Sequence, residues 1–139
     1  MDSTMITVEC IDELADFAGI KDKIALITEA AMRGALDFEA ALKERVALLS
    51  GLDEATLGRC YDERVTPMPG AETLVKTMRT HGAYSLLVSG GFTFFTSRVA
   101  QFLGFDAHRA NVLDIENGRL TGIVRQPIID ASSKLKALE

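Results

Sequence analysis

Two prolines and a glycine fall within five residues at Thr66-Pro67-Met68-Pro69-Gly70. Proline fixes φ and removes a backbone donor, so neither a helix nor a central strand runs through such a stretch. The hydrophobic pattern changes character across it. Ahead of the break every periodic segment is helical; behind it helical and extended segments alternate. The chain is therefore read as a helical part joined to an α/β part.

Four helices are expected ahead of the break. Ile11, Leu14, Ala15 and Ala18 fall at i, i+3, i+4 and i+7, and Gly19 follows as a stop. A second helix spans about 21–32 and ends near Gly34. Asp37 is a good N-cap for a third helix that reaches about Leu49, before Gly51. Asp53 is expected to cap a fourth, polar helix to about Arg64. Four short helices with no strand among them make a small bundle. Behind the break, Ala71, Leu74, Val75 and Met78 predict a helix that ends before Gly82. The apolar run 84–88 reads as a buried parallel strand. Ser89-Gly90-Gly91 then turns into a helix carrying Phe95, Val99 and Phe102, closed by Gly104. Residues 111–115 read as a strand, Asn117-Gly118 as a hairpin turn and 120–124 as the return strand. Asp130 is placed to cap a last helix.

The 139 residues suit one domain with a small insert, and 47% hydrophobic against 25% charged residues is a globular balance. A net charge of −5, with no run of Lys or Arg, argues against nucleic acid. No stretch is long and apolar enough for a membrane span, and no leader pattern is present, so a cytoplasmic protein is expected. Cys10 and Cys60 stand fifty positions apart with no Cys-x-x-Cys, which reads as two free thiols. His81 and His108 lie near predicted turns and give little support to a metal pair.

Some residues invite chemistry. Strand-Ser89-Gly90-Gly91-helix lets backbone approach an anion, or is only a tight turn. Arg45 shares a helical face with Phe38, Ala41, Leu42 and Leu49. A guanidinium on an apolar stripe either snorkels to water or clamps a carboxylate. Glu9 is either a first-turn carboxylate favoured by the helix dipole or a ligand for a cation. Asp2-Ser3-Thr4 is either a frayed cap or the remainder of a catalytic segment. Lys134, with Lys136 as competitor, follows Asp130-Ala131-Ser132-Ser133.

Taken together, Asp2-Ser3-Thr4, Glu9, Met32, Phe38, Arg45, Val88-Ser89-Gly90-Gly91-Phe92 and Asp130…Lys134 resemble the phosphoserine phosphatases of the haloacid-dehalogenase superfamily, in order and spacing across the whole chain. The resemblance implies an α/β Rossmannoid core, incomplete here (1–9 and 67–139), with a four-helix cap (10–66) inserted after the first motif. It implies hydrolysis of O-phosphoserine through an aspartyl phosphate, with Mg2+ as cofactor. Asp2 would act as acid and base and offer its carbonyl to the metal. Ser89, Gly90 and Lys134 would hold the phosphoryl oxygens. Glu9 would take the ammonium and Arg45 the carboxylate, with Met32 and Phe38 lining the closed pocket.

The sequence departs from that pattern. In Asp-x-Asp-x-Thr, Met1 stands at the x, so the nucleophilic aspartate is missing, and so is the later Gly-Asp-Gly-x-Asn-Asp segment. Read so, the chain is truncated and inactive on its own, with an open sheet edge that invites a homodimer. The alternatives are a sister phosphatase of another small phosphomonoester, or a non-catalytic fragment that binds phosphate or associates with itself.

Overall fold

The break at 66–70 does more than end the helical part. In the computed structural model, which describes Met1 and residues 4–129, the two connections between the halves run side by side. Thr7 N–H donates to Thr66 O at 3.0 Å and Met68 N–H to Met5 O at 2.7 Å, with Ile6 and Pro67 bridged antiparallel. The helical part therefore leaves and re-enters the α/β part through one paired neck.

That part comprises α1 (Cys10–Ala18), α2 (Lys21–Met32), α3 (Phe38–Leu48) and α4 (Glu54–Arg64). The expected boundaries hold to within a residue or two. Asp37 caps α3, its carboxylate accepting from Ala40 N–H at 2.7 Å. Asp53 is a correction. It stands at the N-cap of α4 but makes no capping hydrogen bond; its carboxylate lies 3.5 Å from Arg119 Nε instead. Phe17 packs beneath the guanidinium groups of Arg59 and Arg64, at 5.5 and 5.0 Å, and Arg64 also pairs with Glu13 at 2.7 Å. These contacts tie α1 to α4. Both cysteines are buried and neither is in a disulfide, and burial pushes the Cys60 thiol up to about 11.

Behind the neck come α5 (Ala71–Thr80), β1 (Leu86–Phe92), α6 (Thr93–Leu103), β2 (Ala107–Asn111), β3 (Leu113–Glu116) and β4 (Arg119–Val124). The architecture is α/β. β1 and β2 pair in parallel with α6 packed on both, and β3–β4 is an antiparallel hairpin. Its turn is the expected one, with Asn117 and Gly118 both at positive φ (54° and 76°). The hairpin docks on the helical part: Gly51 N–H donates to Leu120 O at 2.7 Å, and Leu120 N–H to Leu52 O at 2.9 Å.

Three strand expectations need correction. The first strand is shifted: Tyr84 is 74% exposed, whereas Ser85 is buried because its N–H and hydroxyl both donate to Asp106. Pairing runs on to Phe92, so Ser89-Gly90-Gly91 lies within the end of β1 and is not a free turn. The single strand expected at 111–115 is two, β2 and β3, parted at Val112. His108 accordingly sits in β2, not in a turn, with its Nδ1 2.9 Å from the Thr96 hydroxyl.

One hydrophobic core serves both halves. It runs from Leu14, Val46 and Leu57 to Val75, Phe95 and Leu103. The helix expected after Asp130 lies outside the described residues.

Candidate functional site

A cleft of about 300 Å³ opens between the halves, beside the neck. One wall is helical: Glu9, Cys10 and Ile11 at the start of α1, and Phe38, Leu42 and Arg45 from α3. The other is the end of β1, Ser89 through Phe92. Sequence-expected residues from three separate stretches of the chain are thus brought together: Glu9, Phe38 with Arg45, and Ser89 with Gly90.

The β1 wall owes its shape to a register jump. Val88 pairs with Arg109 and Phe92 with Asn111. Four steps on β1 therefore span two on β2, and residues 89–91 have no partner in the ladder. Such bulges re-aim the backbone. Here Gly91 N–H donates to Ser89 Oγ at 2.9 Å. That leaves the Ser89 hydroxyl hydrogen as a donor on a side chain only 3% exposed. Gly90 leaves room across the cleft: a Cβ there would stand 3.0 Å from Phe38 Cζ, and the ring would have to shift.

Asn111, the first residue of the strand expected over 111–115, holds this bulge in place. It is fully buried. Its Nδ2 donates to Gly90 O at 2.8 Å and to Ile129 O at 3.1 Å, and its Oδ1 accepts from Ile129 N–H at 2.7 Å. One amide therefore pins the bulge to the segment that leads toward Asp130. Its only sequence signal is an asparagine at a strand end, which reads equally well as a turn.

On the helical wall Arg45 is half-buried. Its Nε donates to Ala41 O and its Nη1 to Thr28 Oγ1, both at 3.3 Å. No carboxylate among the described residues comes within 4.0 Å of its nitrogens. Burial pulls its pKa below the ordinary arginine value, opposed by the fields of Asp12 and Glu9. Asp12, one turn along α1 from Glu9, is pushed up by burial and then by Glu9. Arg45 remains a cation, since guanidinium does not deprotonate in proteins. It is a positive charge partly withdrawn from water, with no close carboxylate among the described residues. Three of its five N–H groups carry no partner among the described residues.

Phe38 is 43% exposed at the cleft mouth, and Met32, 83% exposed at the end of α2, does not reach the lining. Asp2 and Lys134 lie outside the described residues. So does any metal site built on Asp2: among the described residues, no group of three or more His, Cys, Asp or Glu could hold a metal ion. No helix of the described chain is long and apolar enough to cross a membrane.

Known proteins resemble this chain in sequence and in fold. The family profile of the haloacid dehalogenase-like hydrolases matches residues 1–139. The phosphoserine phosphatase of Albidiferax ferrireducens is 53% identical over 143 residues, covering 99% of this chain and 60% of the relative. The crystal structure of a haloacid-dehalogenase family hydrolase from Salmonella enterica serovar Typhi superposes with a TM-score of 0.93 at 35% identity, over 99% of this chain and 47% of that one. A substrate-bound phosphoserine phosphatase complex gives 0.89 at 36%, over 99% and 65%. The chain thus spans between about half and two thirds of the length of each of these three proteins. With its full length matched, the chain belongs to the haloacid dehalogenase-like hydrolases.

Proposed function

We propose that the cleft binds O-phosphoserine and that the chain is the substrate-recognising part of a phosphoserine phosphatase. The observation that carries this is Arg45. A half-buried guanidinium with three N–H groups unpartnered and no close carboxylate among the described residues is set for an incoming carboxylate. Across the cleft, the Ser89 hydroxyl and the bulged backbone at Gly90 offer donors suited to phosphoryl oxygens. Glu9 and Asp12 put negative charge beside Arg45, where an α-ammonium group would lie. Amine, carboxylate and phosphate each meet an opposite partner. Two of the three relatives named above are phosphoserine phosphatases, which supports the same substrate.

In this reading helices α1–α4 act as a cap over the phosphate-binding strand end. On family grounds the phosphoryl group would pass to the first aspartate of Asp-x-Asp-x-Thr, which this sequence does not contain; Asp2 would protonate the leaving serine oxygen and then activate water, and Lys134 would neutralise the phosphoryl oxygens. Asp2 and Lys134 carry these roles on family grounds alone. Magnesium belongs to the same family reading. Among the described residues no group of three or more His, Cys, Asp or Glu could hold it.

Titration calorimetry with O-phosphoserine, L-serine and inorganic phosphate tests the proposal. Phosphoserine should bind more tightly than either half; equal affinity for phosphoserine and phosphate would refute it. A second reading, self-association, is favoured by the edge of β1, which among the described residues pairs only with β2. Light scattering should then show a dimer, and a monomer at high concentration would dismiss it.

A further inference from the structure

We infer that Thr28 is a specificity-setting positioning residue, whose hydroxyl holds the Arg45 guanidinium where its free N–H groups meet a ligand carboxylate. The inference rests on the phosphoserine reading of the cleft. Threonine is a mediocre helix former, and inside a helix its hydroxyl usually returns to the carbonyl four residues back. Thr80 does so, donating to Lys76 O at 2.9 Å. Thr28, in the middle of α2, does not. Its oxygen accepts from Arg45 Nη1 at 3.3 Å, seventeen residues away on α3.

Among the described residues Arg45 is otherwise tied only to its own helix, through Nε to Ala41 O. That single bond leaves the terminal part of the guanidinium free to turn. The bond from α2 supplies a second fixed point on a different nitrogen, and two points orient a planar group. The unpartnered N–H groups, one on Nη1 and two on Nη2, are then presented as a fork. A fork fixed in advance loses less freedom when a carboxylate docks. Thr28 does not line the cleft, so it acts through Arg45 and touches no substrate. Its expected mark is therefore on selectivity for the carboxylate.

The test uses the full chain and two ligands that share phosphate and amine: O-phospho-L-serine and O-phosphoethanolamine, which lacks the carboxylate. Affinities are measured by calorimetry or chemical-shift titration for the wild type, Arg45→Ala, Thr28→Val, Thr28→Ala and Thr28→Ser. The preference for phosphoserine should collapse in Arg45→Ala. It should fall roughly tenfold in Thr28→Val and Thr28→Ala, the worth of one hydrogen bond to a charged group. Thr28→Ser, which keeps the hydroxyl, should retain it. A wild type with no preference would overturn the phosphoserine reading, and this inference with it. A wild-type preference that is lost in Arg45→Ala but kept in both Thr28→Val and Thr28→Ala would overturn the role of Thr28 alone.

Discussion

The helical wall of the cleft presents long side chains: Arg45 reaches in from α3, Glu9 stands ahead of α1, and Phe38 leans over the mouth. The β1 wall uses backbone, a bulge of three residues shaped by a register jump and pinned by Asn111. The difference shows in what each wall depends on. Side chains on helices can be altered one at a time with local loss. A backbone donor has no side chain to exchange, so its position is set by whatever holds the strand. Mutations on the helical wall should therefore weaken ligand binding and leave the fold, while those behind the β1 wall should cost both.

The strongest test of that contrast is Asn111→Ala. It strands a buried carbonyl at Gly90 and both backbone groups of Ile129. With about 1–3 kcal/mol for each unsatisfied buried group, a loss of about 3–5 kcal/mol is expected in urea unfolding, with phosphate binding lost as well. Little change in either would break the comparison at its firmer end. Next comes Arg45→Ala. Loss of a half-buried charge partner for the carboxylate should cost about 2–3 kcal/mol of phosphoserine affinity, close to a hundredfold. Stability should hardly fall, because a desolvated cation is removed too. An equal loss in unfolding free energy would mean that Arg45 serves the fold.

How these residues stood out in the sequence follows the same division. Arg45 was legible because a guanidinium on an apolar helical stripe calls for a reason. Asn111 was not, since an asparagine beside a strand signals a turn, and its three partners are backbone groups about twenty positions away. β2 was hidden because Ala107-His108-Arg109 shows no apolar run, being a short strand only partly buried. The helices were legible because period and caps agree. The failed cap at Asp53 shows a tertiary partner, Arg119, taking a carboxylate that local chemistry had assigned.

Two smaller effects sharpen the contrast. Gly90→Ala places a methyl 3.0 Å from the Phe38 ring edge. The ring tip can give way, so stability should change by about 1 kcal/mol or less, while ligand affinity drops several-fold as the cleft narrows. Unfolding and titration of that one variant separate the two. Asp12→Asn should be the smallest. Burial raises the Asp12 pKa, so the folded chain holds that proton more tightly than the unfolded chain. The resulting stabilisation is present at low pH and is lost as pH rises through the folded value. The asparagine variant should lose this slope and be more stable at pH 7 by less than about 1 kcal/mol. A variant less stable at pH 7 would show that the Asp12 charge supports the fold.

The central claim is that one ligand spans both walls. A 15N chemical-shift titration with O-phosphoserine reads both in a single sample. The Gly90 backbone amide and the Arg45 Nε–H should shift together along one saturation curve, while inorganic phosphate should move Gly90 and leave Arg45 Nε–H in place. A phosphoserine titration that moves Gly90 but not Arg45, or neither of them, would contradict the account.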